Sequence, residues 1–111
     1  MINIEKRDKI DIISFNINKI DAMISDNLRE SINKVFDNPH SKVIIDLKGV
    51  EYIDSSGFGC LLSVRRAASN NYGVLKFVNP EPRIMELFRT LHLHTVFQIY
   101  DDLNTCLSTL R

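Results

Sequence analysis

The sequence predicts an α/β fold: a mixed β-sheet, opened by an N-terminal hairpin and continued by parallel strands, layered with about four α-helices. Three observations carry this. Apolar residues alternate with polar ones at the N-terminus (Ile2, Ile4, Ile10, Ile12), which is the period of a half-buried strand. A helical stripe follows in Ile24, Leu28, Ile32, Val35 and Phe36. From Val43 onward the chain then alternates strand, helix, strand, helix, strand, and such alternation implies parallel pairing through crossover connections.

The elements follow in order. Ile2 and Ile4, then Ile10, Ile12 and the Ile13/Phe15 neighbourhood, flank the polar turn Lys6-Arg7-Asp8-Lys9, so an antiparallel hairpin forms one end of the sheet. The first helix carries Asp26, Arg29, Glu30, Asn33 and Lys34 on its polar face and stops at Asn38-Pro39. Val43 to Leu47 is short and β-branched-rich, as a strand buried on both faces is. A second helix runs through Phe58 to Ala68 and closes near Asn70-Asn71-Tyr72-Gly73, with Leu61, Val64 and Ala68 facing the sheet. Val74 to Val78 is the next strand. Asn79-Pro80-Glu81-Pro82 leads into a helix with Ile84, Leu87, Phe88 and Leu91 on one stripe. Val96 to Tyr100 reads as the last strand, and Asp101-Asp102 starts a terminal helix bearing Leu103, Cys106, Leu107 and Leu110.

A length of 111 residues suits one domain, 1–111, with about two-thirds of its unfolded surface buried. Fourteen Lys/Arg against 14 Asp/Glu leave no net charge, so the basic field that drives nucleic-acid binding is missing and direct DNA or RNA binding is not expected. Arg65-Arg66 and Lys6-Arg7 read as solvated surface. No apolar run approaches the ~20 residues of a membrane span, and the first residues alternate instead of forming a signal-peptide core, so a cytoplasmic protein is expected. Cys60 and Cys106 lack metal-site spacing and read as reduced, buried thiols, with a more reactive Cys60 as the minor alternative.

The most informative stretch is Val50-Glu51-Tyr52-Ile53-Asp54-Ser55-Ser56-Gly57-Phe58-Gly59, which places an acid and two hydroxyls where a loop after a strand becomes a helix. Free backbone N–H groups and the positive end of the dipole favour an anion there. Spacing alone favours a plainer role: Ser55 or Ser56 caps the helix, and Asp54-Ser55 ends the strand through a local turn.

Tyr52-Ile53-Asp54-Ser55-Ser56-Gly57-Phe58-Gly59 resembles the signature of the STAS domain, and specifically of the bacterial anti-sigma factor antagonists, in which an aromatic or apolar pair precedes Asp-Ser-Ser/Thr/Ala-Gly, an apolar residue and Gly. The similarity extends to Ile20-Asp21-Ala22 before the first helix, to Val43 to Leu47, and to Ile84 to Leu93 followed by Val96-Phe97. It implies a STAS-like fold and a regulatory phosphorylation site at Ser55, with Asp21, Asp54, Ser56, Gly57 and Phe58 forming the switch and partner-binding region. Family members commonly carry a Gly shortly before the aspartate matching Asp21. Here Asn16 and Asn18 occupy that loop, and Asn tolerates left-handed backbone better than most residues. Asp21 is equally readable as a helix-start residue, and Phe58 as core packing or as an apolar anchor at the rim.

The resemblance implies a partner switch. The unphosphorylated chain binds a serine kinase that doubles as an anti-sigma factor, releasing the sigma factor; phosphorylation ends the contact, and a PP2C-type phosphatase restores it. Neither reaction is catalysed by this chain, and no cofactor or metal is implied. A STAS scaffold or phospholipid-trafficking subunit that is never phosphorylated is the alternative, and a serine hydrolase using His40, His92 or His94 the remote one. Other motifs fail. A dinucleotide fingerprint would need Gly where Leu62 stands, the P-loop ending is absent, and G-x-S-x-G is not matched at either serine.

Overall fold

The computed structural model describes residues 1–110. Strands β1 (Ile2–Arg7) and β2 (Ile10–Phe15) form the expected hairpin, with Ile4 opposite Ile13. The turn is tighter than the sequence suggested: only Asp8 and Lys9 lie outside the strands, both with positive φ (53° and 66°). That geometry matches the right-handed twist of the two strands it joins.

Short strand β3 (Lys19–Ile20) leads to helix α1 (Ser25–Asn33), which tightens into a 3₁₀ turn at Lys34–Asp37. Strand β4 (Lys42–Asp46) follows, then short strand β5 (Tyr52–Ile53), helix α2 (Ser55–Asn70) and strand β6 (Val74–Val78). Helix α3 (Pro82–Thr90), strand β7 (Ile99–Tyr100) and helix α4 (Leu103–Ser108) complete the order. The main sheet runs β1-β2-β4-β6-β7, antiparallel at the hairpin and parallel at every later pairing.

Strand periodicity divides the core in two. Ile13, Val43, Ile45 and Phe77 point to the face covered by Leu28 and Ile32 of α1, Leu61 and Val64 of α2, and Ile84 and Phe88 of α3. Ile10, Ile12, Ile44 and Val78 point the other way, against Cys106 and Leu107 of α4. The centre of β4 is therefore buried on both faces, as its unbroken apolar run requires. Phe58, Phe77, Phe88 and Phe97 pack with ring centroids 5.0–6.1 Å apart where α2 and α3 meet the sheet.

Two expectations need correction, and one feature is new. The last strand is Ile99–Tyr100, not Val96 to Tyr100, because Leu93–Thr95 forms a 3₁₀ turn and Phe97 turns into the aromatic cluster. Leu91 is half exposed, since α3 ends one residue before it. The two short strands β3 and β5 were not anticipated; they pair in parallel as a separate two-stranded sheet, Lys19 with Tyr52 and Ile20 with Ile53. No helix among the described residues is long and apolar enough to cross a membrane.

Candidate functional site

The site is assembled by the β3–β5 pair. After β4 the chain turns at Gly49, whose φ of 85° suits a residue without Cβ. The N–H groups of Glu51 and Tyr52 then donate to the Asn18 carbonyl at 2.7 and 3.3 Å. This brings the loop after β3, carrying Asp21, alongside the start of α2. Neither Asn16 nor Asn18 needs the left-handed conformation that a family glycine would supply, since neither has positive φ.

Asp54 joins the two segments. Its backbone is extended (φ −93°, ψ −175°), and its Oδ1 accepts from the Gly57 N–H at 2.9 Å, which makes it the N-cap of α2. Its Oδ2 accepts from the Ala22 N–H at 3.2 Å, while its own N–H donates to the Ile20 carbonyl at 3.2 Å. One half-buried carboxylate thus caps a helix and ties down the neighbouring loop. Gly57 permits the close approach: a Cβ there would stand 2.3 Å from the Ile20 carbonyl oxygen. Asp21 shapes the loop itself, its Oδ1 accepting from the Met23 N–H at 3.1 Å and its carbonyl from Ile24 and Ser25 at 3.2 and 3.0 Å. That is the helix-start role the sequence offered for it, performed beside Asp54.

Capping by Asp54 overturns the plainer reading of the serines. Ser55 and Ser56 are the first two helical residues, both exposed, and neither hydroxyl has a hydrogen-bond partner among the described residues. Two hydroxyls are therefore left over at the positive end of a 16-residue helix.

Of the two readings open for Phe58, the structure takes the core one. It is only 6% exposed and packs edge-on against Phe88 at 5.4 Å, so it belongs to the core and not to the rim. The helical stripe turns it inward with Leu61. The apolar surface near the serines comes instead from residues the sequence reading passed over. Met23 is 90% exposed one residue beyond the N–H that Asp54 holds, and Leu62 is 39% exposed two turns along α2 from Ser55. Leu62 was detectable as the large apolar residue that falls off the Leu61/Val64/Ala68 stripe; Met23 had no pattern to reveal it.

The histidines are not assembled here. His40 stacks on Tyr72 at 5.9 Å, beyond the last residue of α2. That end is about 22 Å from Ser55 along a helix of this length. His92 and His94 lie together after α3, their rings 6.3 Å apart. Among the described residues no group of three or more His, Cys, Asp or Glu could hold a metal ion. Burial at the first turns of α2 pushes the Cys60 thiol up to about 11, against the reactive alternative, and burial also raises Cys106.

The family model for the STAS domain matches residues 1–106. A Thermotoga neapolitana protein provisionally named anti-sigma factor antagonist is 25% identical over 72 residues, 65% of this chain and 64% of that relative. The match thus spans just under two thirds of the relative's length. Among solved structures, an anti-sigma-factor antagonist (STAS) domain protein from Planctomyces limnophilus superposes with a TM-score of 0.87 at 20% identity, covering 97% of this chain and 96% of that one. The Bacillus cell fate determinant SpoIIAA in its phosphorylated form superposes with a TM-score of 0.70 at 17% identity over 100% of both chains. The same antagonist in its unphosphorylated form gives 0.73 at 17% identity, over 100% of this chain and 98% of that one. At these identities the likeness is one of fold.

Proposed function

The chain belongs to the STAS domain family, and from that premise we propose that it is an anti-sigma factor antagonist, one domain over residues 1–111, switched by phosphorylation at Ser55. Unphosphorylated, it binds a serine kinase that is also an anti-sigma factor and so frees a sigma factor in the cytoplasm. A PP2C-type phosphatase resets it. The chain is the substrate of both enzymes and catalyses neither reaction.

One observation carries this reading: Ser55 is exposed with an unengaged hydroxyl because Asp54 has taken over the cap. A kinase can then esterify that oxygen without breaking a bond that the fold needs. The phosphoserine would sit at the first turn of α2, where the dipole tolerates an anion. Ser56, Gly57, Asp21 and Asp54 shape the surroundings, and Met23 and Leu62 supply the apolar contact assigned on sequence to Phe58.

Magnitudes favour exclusion from an interface over a change of fold. Moving a complex from 99:1 to 1:99 needs about 5.5 kcal/mol, whereas an exposed charge at a helix end contributes ~0.3–1 kcal/mol. A phosphate brings about −1.5 to −2 charges. Burying it against a partner without cations costs several kcal/mol, and Asp54 beside it adds like-charge repulsion.

The test is incubation with the cognate kinase and ATP, read by intact mass, alongside a binding assay. Wild type should gain one phosphoryl group; Ser55→Ala should gain none yet keep its affinity, and Ser55→Asp should bind poorly. Equal kinase affinity for all three forms would contradict the switch, and binding without any mass gain would favour a scaffold or accessory subunit.

A further inference from the structure

We propose that β1 is a self-association edge, through which two copies of this chain pair antiparallel about a twofold axis at Ile4. β1 ends the main sheet, and apart from half-buried Ile2 every one of its residues is exposed. Ile4 is 50% and Met1 38% exposed, an apolar load that a sheet edge usually avoids.

The hydrogen-bond pattern selects which groups are available. The Asn16 N–H donates to the Met1 carbonyl at 3.1 Å, and Asn3 and Glu5 follow Met1 at two-residue steps in the hairpin register. In an antiparallel pair such residues alternate with ones whose N–H and C=O point away. The odd residues of β1 therefore face β2, and Ile2, Ile4 and Lys6 turn both backbone groups outward.

Charge and bond count select the register. Centring on Ile4 sets it against its own copy, Ile2 against Lys6 and Asn3 against Glu5, giving roughly six inter-copy hydrogen bonds from three two-bond pairs. The two isoleucines bury each other, and the stem of Lys6 covers Ile2 while its ammonium, 3.6 Å from Asp11 Oδ1 in the single chain, stays at the surface. Centring on Glu5 would oppose two like carboxylates and keep roughly four such bonds. Centring on Asn3 also keeps roughly four. The partner that fits is thus a second copy, its five-stranded sheet continuing this one. α2 and Ser55 lie away from this edge, so the inference stands apart from the phosphorylation proposal.

Single cysteines at Asn3, Ile4 and Glu5 read the register directly, in a chain without an N-terminal tag. Hydrogen-bonded antiparallel partners stand about 5.5 Å apart between Cα atoms, within the ~4.4–6.8 Å that a disulfide spans. The native thiols are silent, Cys60 being 1% and Cys106 0% exposed. Under mild oxidation Ile4→Cys should form a disulfide dimer at least tenfold faster than Asn3→Cys or Glu5→Cys. Ile4→Pro removes an outward N–H without touching the β1–β2 ladder. It should keep the wild-type circular dichroism and raise the dimer dissociation constant at least tenfold by sedimentation equilibrium. Preferential linkage at position 3 or 5, equal rates at all three, or a wild-type chain that stays monomeric up to millimolar concentration would overturn the proposal.

Discussion

At the scale of single residues, the site depends on a division of labour between Asp54 and the serines that follow it. Asp54 uses one carboxylate oxygen for the Gly57 N–H and the other for the Ala22 N–H, so truncation loses a cap and a tether together. We expect Asp54→Ala to cost about 1–2 kcal/mol, seen as a fall of several degrees in melting temperature. Ser56→Ala should stay within about 0.5 kcal/mol of wild type, the range of surface changes that touch nothing. A large drop for Ser56→Ala in the same melting experiment would mean that the hydroxyl caps after all. Cys60 offers a second residue-scale check. With its thiol pushed up to about 11 by burial, only about a thousandth is thiolate at pH 8, and a disulfide reagent should label it rapidly only after denaturant is added.

At the scale of elements, the hairpin shows how a local conflict is overridden. A two-residue connection between right-twisted strands wants positive φ at both positions, and Lys9 accepts φ of 66° although glycine suits it better. The register of β1 on β2 holds it there, because slipping by one residue would swap the faces of Ile10, Ile12 and Ile13. Lys9→Gly should raise stability by up to about 1 kcal/mol, measured by denaturant midpoint. An unchanged or lower midpoint would show that the left-handed strain is already relieved. The β3–β5 pair makes the complementary point. Two residues on each side suffice to place the Asp21 loop, because Ile20 and Ile53 are both buried and the Asp54 tether closes the end.

For the whole molecule, the sheet and the aromatic cluster form a frame that the proposed switch surface around Ser55 does not enter. Ser55 lies outside both buried clusters, and Phe58 three residues later is locked against Phe88. The phosphorylated chain should therefore keep the fold of the free chain. We expect amide NMR shifts on phosphorylation confined to roughly the Asp21 loop and the first two turns of α2, and shifts spread across β4 and β6 would refute this. The solved pair of SpoIIAA forms, phosphorylated and unphosphorylated, has this fold in both states.

Sequence periodicity by itself determined the layered α/β arrangement, since strands and helices announce their buried faces at periods of two and 3.6 residues. β4, β6 and α2 were legible this way, and Asp54, Ser55 and Gly57 stood out as a cluster at a helix start. What only the tertiary structure decided was the work of each. Asp54 took the cap through the Gly57 N–H, which released Ser55 and Ser56, and its second oxygen found Ala22, 32 residues away in the chain. Phe58 went inward on the helical stripe it shares with Leu61, whereas Met23 went outward because which side of a short loop faces water depends on long-range packing, and no local repeat encodes it.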